Sequence, residues 1–461
     1  MKASLALGVA LSSMSLSAHA QGYDPNEDYK NLDISFYNDE KPAEGFYINA
    51  AANYILETVT NPKVGSTYGE WSVMDLARAG YTGFDYIDKW NNSTFTTTYL
   101  NNLYSYIETK NGILDKNRST EYSRVTLALS ALNQAANPVG QTGLNIVDTL
   151  NQSYNFSKKQ GINGPIWELI ALNTKNYEFS DQTGAGDLNT KGKMLDYILN
   201  AEQASGGWAL LGSVADPDIT GMALQALAPY YNHMSAYEAT GATVDYTVFV
   251  QKVERAVVAL AEMQSDNNGF NAFGNANAES TAQVIVALTA LGIDPTDKAL
   301  HLPTINVDVP FNDGDGTQDG VKTEDAIDVL LTFFADGSGD APNSSGFRHV
   351  TSGYDGGGGS GSGVNAMATD QALYGLIAYD RYKKGENALY DMTDAKEKYT
   401  SKTYTITYVA KDGTTTTASY APYAAVDLLD TAETWKTAQG VTYAATETLA
   451  MPEQNITLYA Q

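Results

Sequence analysis

The sequence has no cysteine among its 461 residues. Disulfide bridges are therefore excluded, and so is any metal site that requires a thiolate ligand. Histidine is rare as well, and His19, His233, His301 and His349 are too scattered to indicate a catalytic or metal-binding cluster. Basic residues are few, with 28 Lys and Arg against 54 Asp and Glu. The net charge of −26 argues against nucleic acid or an anionic membrane as a partner, because both would repel it.

Long apolar runs are missing beyond the amino terminus. There, Lys2 is followed by an apolar stretch from Leu5 to Leu16 and by Ala18-His19-Ala20, the pattern of a secretory signal peptide. We therefore expect residues 1–20 to be removed and the protein to be secreted or held at the cell surface. No later run reaches the ~18 apolar residues of a membrane-spanning helix, so we expect no integral membrane segment. An exported chain without disulfides is typical of bacteria.

What the chain does have is an alternation of two kinds of helix, one amphipathic and one apolar on nearly every side. The predicted amphipathic helices are Glu44–Val59, Ser93–Thr109, Thr142–Phe156, Thr190–Glu202, Val248–Met263 and Thr323–Ala335. The predicted apolar helices are Glu70–Ala79, Glu121–Leu132, Asn163–Asn173, Asp216–Tyr231, Glu279–Leu291 and Ala366–Tyr382. This pattern predicts a mainly α fold with the apolar helices inside. Closed into a ring it is an (α/α)6 toroid, whereas an open α-solenoid would bury the same faces.

The apolar helix at 216–231 has the most readable start. Asp216 suits an N-cap, Pro217 the first helical position, and Asp218 the first turn, where a carboxylate meets free N–H groups. One end of a buried helix therefore carries two acids. Helix capping alone is a sufficient explanation for both of them.

The loop before this helix carries a resemblance. Gln203-Ala204-Ser205-Gly206-Gly207-Trp208, followed by Asp-Pro-Asp-Ile-Thr-Gly-Met-Ala-Leu, resembles the prenyltransferase and squalene-cyclase repeat family, in a subgroup of secreted bacterial proteins. A similar loop ends at Gly269-Phe270, where we expect the aromatic residue to pack in the core. The resemblance implies the toroid fold for residues 43–392. It implies little about activity, because the family also includes cobalamin carriers without a catalytic role.

After Met392 the composition changes to Thr, Tyr and Val. Tyr404–Val409 alternates as a strand, Lys411-Asp412-Gly413 is typical of a hairpin turn, and Gln454–Tyr459 is a predicted closing strand. Residues 403–461 therefore predict a small all-β or β-grasp-like module. They resemble the internalin-type β-repeat of bacterial surface proteins, which implies a spacer or adhesion role. Residues 21–42 are predicted as a loosely docked arm and residues 393–402 as a linker.

If the ring closes, the starts of the apolar helices meet at one mouth and could rim a small-ligand pocket. The residues predicted to contact a ligand there are Trp71, Glu121, Arg124, Trp167, Glu168, Asp216, Asp218, Thr220, Glu279, Gln283, Asp370 and Tyr374. For each of them, helix capping or a structural salt bridge is the alternative. Arg124 needs a carboxylate partner at the start of an apolar helix, and Asp218 or Glu168 could supply it.

The main functional hypothesis is a non-catalytic protein that binds a small apolar ligand or a cell-surface partner. The resemblance implies two alternatives. In class II terpene cyclases an Asp-x-Asp-Asp-Thr motif supplies an acid; Asp216, Asp218 and Thr220 match it, with Asp218 as the donor, but Ile219 replaces the third acid. In cobalamin carriers a toroid precedes a β domain, so a corrinoid would be the ligand. The zinc site of protein prenyltransferases is excluded here, because it needs a Cys.

A calcium ion is the one metal that the sequence suggests. Asp313, Asp315, Asp319 and Glu324 have the spacing of an EF-hand loop, although Gln318 stands where that loop requires Gly. The alternative is an acidic solvated turn before a helix that Thr323 caps.

Overall fold

The computed structural model describes residues 44–65, 67–79, 95–272, 274–318, 320–336, 345–353, 361–395, 404–420, 425–438, 440–446, 448–450 and 455–461. These residues form two compact units. One comprises 44–79 and 98–395, and the other comprises 404–461 together with 95–97. The predicted signal peptide, the predicted arm and most of the predicted linker lie outside the described residues.

The first unit is rich in helix. The α-helices within the described ranges are α1 Glu44–Thr58, α2 Glu70–Arg78, α3 Phe95–Thr109, α4 Ser119–Ala131, α5 Ile146–Asn151, α6 Tyr154–Ser157, α7 Asn163–Asn173, α8 Lys191–Asn200, α9 Pro217–Leu227, α10 Met234–Ala239, α11 Tyr246–Glu262, α12 Ala278–Ala290, α13 Ala326–Thr332 and α14 Ala366–Lys384. The prediction of a helix-rich fold is confirmed. None of these helices is both long and apolar enough to cross a membrane.

The predicted apolar helices correspond to α2, α4, α7, α9, α12 and α14, which we call the inner helices. Each contacts the next in this order, and α14 contacts α2 again. Five of the predicted amphipathic helices pack outside them, α1 on α14, α5 on α4, α8 on α7, α11 on α9 and α13 on α12. The apolar side chains of the inner helices are almost all buried, as expected for helices that have neighbours on both sides.

Three helix boundaries were predicted wrongly, each for a local reason. The predicted helix Thr142–Phe156 is two short helices, because the Asn145 side chain caps α5 and the Ser153 side chain caps α6. The helix predicted from Thr323 begins at Ala326 instead, where Asp325 accepts the N–H groups of Ile327 and Asp328. The α-helix α9 ends at Leu227 and continues as one 3₁₀ turn, since Pro229 cannot donate to the helical ladder.

A connection repeats before α9, α12 and α14. In each case the N–H of a buried aromatic residue donates to a threonine hydroxyl in the helix that follows, and its carbonyl accepts from the N–H of the N-cap residue. The sets of aromatic residue, N-cap and threonine are Trp208 with Asp216 and Thr220, Phe270 with Asn277 and Thr281, and Phe347 with Asn365 and Thr369. These bonds fix the start of each inner helix against its incoming loop. The prediction that Trp208 and Phe270 pack in the core is confirmed.

The helical unit also contains short antiparallel strand pairs. They are β1 Leu300–Leu302 with β2 Val307–Val309, β3 Asn312–Gln318 with β4 Val321–Asp325, and β5 Phe334–Asp336 with β6 Ser345–Phe347. The predicted calcium segment is therefore a hairpin, with Thr317 opposite Lys322, because its backbone pairs across two strands instead of coiling around an ion.

The calcium ligands themselves are only partly described. The side chains of Asp313 and Asp315 and the whole of Asp319 lie outside the described residues, and the Glu324 carboxylate pairs with Lys322 at 2.5 Å. Among the side chains that the structure does describe, no group of three or more His, Asp or Glu could hold a metal ion. Calcium binding by this segment stays a prediction, and the segment forms a β-hairpin.

The second unit is a β structure, as predicted. Its strands are β7 Tyr404–Val409, β8 Thr415–Tyr420, β9 Ala425–Asp427, β10 Thr434–Thr437, β11 Thr442–Ala444, β12 Thr448–Ala450 and β13 Ile456–Ala460. Five of them form a sheet in the order β11-β10-β13-β7-β8, in which β13 runs parallel to β7. Gly413 closes the predicted β7–β8 turn with a φ of 84°, and Trp435 lies at the centre of the core.

Candidate functional site

The first halves of the inner helices surround a cavity of about 380 Å³, which we call the amino-end cavity. Its lining includes seven of the residues predicted to contact a ligand: Trp71, Arg124, Trp167, Asp218, Glu279, Gln283 and Tyr374. It also includes residues that were not predicted to contact a ligand, among them Thr120, Asn163, Met222, Ser280, His349, Met367 and Gln371. The structure therefore brings together residues from all six inner helices, and their role toward a ligand stays a prediction.

Side chains reach this cavity at fixed distances from the helix start. In α9 the lining residues are the second and sixth after the N-cap, Asp218 and Met222. The same two positions line the cavity in α4 (Thr120, Arg124), α12 (Glu279, Gln283) and α14 (Met367, Gln371). Positions four apart share one face of a helix, so an alignment of the N-caps would have pointed to Thr120, Met222, Met367 and Gln371.

The two aspartates of α9 have different surroundings. Asp216 is the N-cap, and its Oδ1 accepts the N–H of Ile219 at 2.8 Å. Asp218 faces the cavity, and its Oδ1 is sealed from solvent without a hydrogen-bond partner among the described residues. Burial, together with the charges of Asp216 and Glu279, raises the pKa of Asp218 to about 6, although a hydrogen bond with the Ser280 hydroxyl and the charge of His349 oppose the change. The sequence could not tell these roles apart, because either carboxylate suits a first turn.

Arg124 has partners other than the predicted ones. Its Nε lies 2.8 Å from Glu70 and its Nη2 lies 2.6 Å from Glu121, so the pairing predicted with Asp218 or Glu168 was wrong. Glu70 is completely buried and also accepts the Tyr99 hydroxyl at 3.1 Å. The guanidinium therefore joins α4 to α2, and which of the neighbouring helices supplies its partner depends on how the helices pack.

A histidine and a carboxylate of the lining are also in close contact. Nδ1 of His349 lies 2.6 Å from Oε2 of Glu279, and both residues are buried. The other oxygen of this carboxylate, Oε1, is sealed from solvent and has no partner in the described ranges. His349 comes from the loop before α14, so only the fold could bring it to Glu279.

Amides and a phenol form the wall beneath these acids. Nε2 of Gln225 donates to both the backbone carbonyl and Oε1 of Gln283, each at 2.9 Å. Nε2 of Gln283 donates in turn to the Tyr374 hydroxyl, which donates to Oε1 of Gln371 at 2.7 Å. A Cβ on Gly221 would lie only 3.0 Å from the carbonyl of Gln283, so glycine there permits the close approach of α9 to α12.

Aromatic rings also line the amino-end cavity. The ring centroids of Trp71 and Trp167 lie 5.2 Å apart, and those of Trp71 and Tyr374 lie 6.1 Å apart. Both distances are within the range of favourable edge-to-face contact. The cavity therefore combines an aromatic wall with convergent polar groups, as small-ligand sites do.

A pair of buried carboxylates lies behind Trp71. Asp370 accepts the Ser72 hydroxyl at 3.0 Å, whereas Asp75 has no hydrogen-bond partner for either carboxylate oxygen within the part of the chain described. Burial raises the pKa of Asp370 to about 7. It raises the pKa of Asp75 well above its usual range, and the charge of Asp370 adds to that effect.

The other predicted ligand contacts lie elsewhere. Thr220 is fully buried and holds the backbone of Trp208, and Asp370 is buried beside Ser72. Glu168 is fully buried against Asn189, and burial raises its pKa to about 8. Asp216 caps α9, and Glu121 pairs with Arg124 and Arg118. Asp216 therefore acts as a helix cap and Glu121 as an ion-pair partner, and the other three side chains form hydrogen bonds in the interior.

Comparison with known proteins adds little. Neither a protein-family profile nor a curated protein matches the chain. Among solved structures, the crystal structure of haptocorrin in complex with Cbi is a match with 10% identity, a TM-score of 0.42, and coverage of 90% of this chain and 96% of that chain. A likeness at this level carries no argument about fold or ligand.

The charges around the cavity favour one kind of ligand group. Arg124 already pairs with two carboxylates, and His349 contacts Glu279, so among the described residues Asp218 has no salt bridge and is stabilised mainly by the Ser280 hydroxyl. An uncompensated buried carboxylate is stabilised by a cation or a hydrogen-bond donor. The aromatic wall can also receive a cation on its ring faces.

Proposed function

We propose that the helical unit is an (α/α)6 toroid that binds a small ligand in the amino-end cavity without chemical conversion. The closed cycle of contacts among the inner helices supports the ring, and the packing of amphipathic helices on their outside supports the second layer. We further propose that the chain is an exported bacterial protein and that the β unit acts as a cell-surface spacer or adhesion module, as its resemblance implies.

The ligand of this proposal has a cationic or hydrogen-bond-donating end and an aromatic or apolar body. The choice of a donor group rests on one observation. Asp218 lines the cavity together with Trp71 and Trp167, and its Oδ1 is buried without a partner among the described residues. A donor from the ligand would supply the missing bond, whose absence costs ~1–3 kcal/mol. The rings would bury the body of the ligand.

The surroundings of Asp218 weigh against the cyclase alternative. An alkene is a very weak base, so the acid that protonates it must be unusually strong. Burial raises the pKa of Asp218 to about 6, which makes this carboxyl a weaker acid than usual. Ile219, the residue in place of the third acid of the cyclase motif, is buried. Binding therefore accounts for Asp218 better than proton transfer to carbon does.

Two matched probes test the proposal. Phenethylamine carries an ammonium group and an aromatic ring, and 2-phenylethanol is its uncharged counterpart. We expect calorimetry to show tighter binding of the amine, and we expect Asp218→Asn to remove most of the difference. Affinity for the amine should rise by up to about 10-fold from about pH 5 to about pH 7, as the carboxyl with a pKa of about 6 ionises. Equal affinities in the wild-type protein, or no binding of either probe, would contradict the proposal.

A corrinoid is tested separately. Such a molecule is larger than the drug-sized ligands that pockets of ~300–1,000 Å³ enclose, so the amino-end cavity would hold only part of it. Titration with cyanocobalamin should leave its visible spectrum unchanged if the ligand is a small amine. A spectral change together with co-elution would replace our proposal with the carrier alternative.

A further inference from the structure

The helical unit contains a second and larger cavity, of about 800 Å³, which we call the carboxyl-end cavity. Inner helices contribute residues near their ends to it, including Asn173 of α7, Gln225 of α9 and Val286 of α12. The segment after α14 closes one side with Tyr390, and the short helix α10 borders it with Ala236. None of these residues was predicted from the sequence to contact a ligand.

Three polar groups in this lining lack partners. Nδ2 of Asn173, Oε1 of Gln225 and the hydroxyl of Tyr390 are each sealed from solvent without a hydrogen bond inside the described ranges. Gln225 is 4% exposed and Tyr390 is 8% exposed, so bulk water does not satisfy them. Buried polar groups in proteins are nearly always paired, and these three belong to residues that line one cavity, so a modest rotation of each side chain would present it to a bound molecule.

The orientation of Gln225 is fixed by its neighbour. Its amide nitrogen donates to the backbone carbonyl of Gln283 at 2.9 Å, and a carbonyl can only accept. The carbonyl oxygen of Gln225 is therefore the unpaired atom, and it calls for a donor. The Oδ1 of Asn173 accepts the Tyr230 hydroxyl at 3.1 Å, and in this orientation the N–H groups of Asn173 need an acceptor.

The rest of the lining sets the character of the occupant. Ile170, Val286, Ala290 and Leu389 supply apolar surface. The one lysine of the lining, Lys191, is already paired with Glu178 at 2.8 Å, so no unpaired lysine or arginine of this lining awaits an anion. The orphan groups are all uncharged. Burial of a charge beside uncharged partners is unfavourable, so these groups suit a neutral molecule.

We infer that the carboxyl-end cavity is a second binding site, for an uncharged molecule with an apolar body that carries both a hydroxyl or N–H donor and a carbonyl acceptor. The donor of such a ligand bonds to the carbonyl oxygen of Gln225, and its carbonyl accepts from the N–H groups of Asn173. The Tyr390 hydroxyl can donate to the ligand or accept from it. The volume is within the range of drug-sized ligand sites. This inference does not depend on the proposed function of the amino-end cavity, which is lined by other residues.

The probe for this site is 4-hydroxybenzamide, which is uncharged at neutral pH and carries a hydroxyl and an amide on a ring. Its binding to the full-length protein is measured by calorimetry and by saturation-transfer NMR. Three variants accompany the wild type. Ala236→Trp adds bulk at the exposed border of the cavity, Glu238→Trp places the same side chain at an exposed position of the same helix that does not line the cavity, and Tyr390→Phe removes only the orphan hydroxyl.

We expect binding to the wild type and to Glu238→Trp, loss of binding in Ala236→Trp, and affinity about 3- to 10-fold weaker in Tyr390→Phe, the effect of one hydrogen bond. Far-UV circular dichroism and urea unfolding serve as the folding control, and each variant should keep the helical spectrum and the cooperative unfolding transition of the wild type. Absence of binding at millimolar probe overturns the inference. So does binding that Ala236→Trp and Tyr390→Phe leave intact.

Discussion

The two cavities of the helical unit lie along the same inner helices but differ in their chemistry. The amino-end cavity gathers Asp218, Glu279, Arg124 and His349, and its polar groups are mostly engaged in ion pairs. The carboxyl-end cavity has neutral amides and a phenol at its wall, several of them without partners among the described residues. The side-chain atoms without a partner are therefore carboxylate oxygens at the first cavity and uncharged groups at the second, among the described residues.

The backbone explains part of this contrast. The first turn of a helix has free N–H groups and a partial positive charge, which stabilise Asp218 and Glu279 where they stand. The last turn has the opposite polarity, and carboxylates would be unfavourable there. Gln225 links the two ends through its bonds to Gln283, and Tyr390 links them through its ring contact with Trp167.

The largest expected effect tests the charged end. Arg124→Ala leaves the buried Glu70 without its main partner, and we expect a loss of about 3–5 kcal/mol in the free energy of unfolding. Urea denaturation measures it. Arg118→Ala is the matched control, because its side chain is 57% exposed and its pairs should contribute no more than ~1 kcal/mol. Similar losses in both variants would show that burial does not set the strength of the Arg124 pair.

The next effect concerns pH. Asp370 has a folded-state pKa of about 7, raised by burial, so the folded protein holds a proton that the unfolded chain releases near pH 4. Stability should therefore be highest at low pH and fall by on the order of 2–4 kcal/mol as pH rises from about 4 to about 7. Asp370→Asn should reduce this slope, and the raised pKa values of Asp75, Asp218 and Glu168 should maintain the remainder. Asp380→Asn, on the same helix beside Lys384, should leave it as it is. A slope that Asp370→Asn does not alter would assign the proton to another group.

A smaller effect separates the two aspartates of α9. Asp216→Ala removes the N-cap bond to Ile219 and should cost about 1 kcal/mol, measured by thermal and urea unfolding, without altering affinity for phenethylamine. Asp218→Asn should do the reverse, with affinity lost and stability kept or increased, because a buried charge is removed. If Asp216→Ala weakened binding and Asp218→Asn did not, the assignment of their roles would be reversed.

The smallest effect is expected at the uncharged end. Tyr390→Phe removes a buried hydroxyl that has no partner in the described part of the chain, so the free energy of unfolding should change by less than ~0.5 kcal/mol. Tyr230→Phe breaks a bond to Asn173 and should cost about 1 kcal/mol in the same denaturation experiment. Equal losses would mean that the Tyr390 hydroxyl is engaged within the protein, and the second site would lose its central observation.

The repeats show how far the sequence could lead. Trp208 and Phe270 were predicted as core because each follows a Gly-rich loop, and both are buried. The rule that the second and sixth residues after an N-cap face the cavity could have been read from Asp216 and Asn277. His349 could not have been found this way, because it lies in a loop that the fold brings to Glu279.

The sequence by itself determined which segments form helices, which of those helices are buried, and where the β unit begins. These properties follow from local periodicity, capping residues and composition, which act over a few turns of chain. Only the tertiary structure decided that Arg124 pairs with Glu70, that Asp75 and Asp370 share one buried region, and that Gln225 and Tyr390 line a second cavity. Such pairings join residues far apart in the chain, and their strength depends on burial and distance, which exist only once the helices have packed.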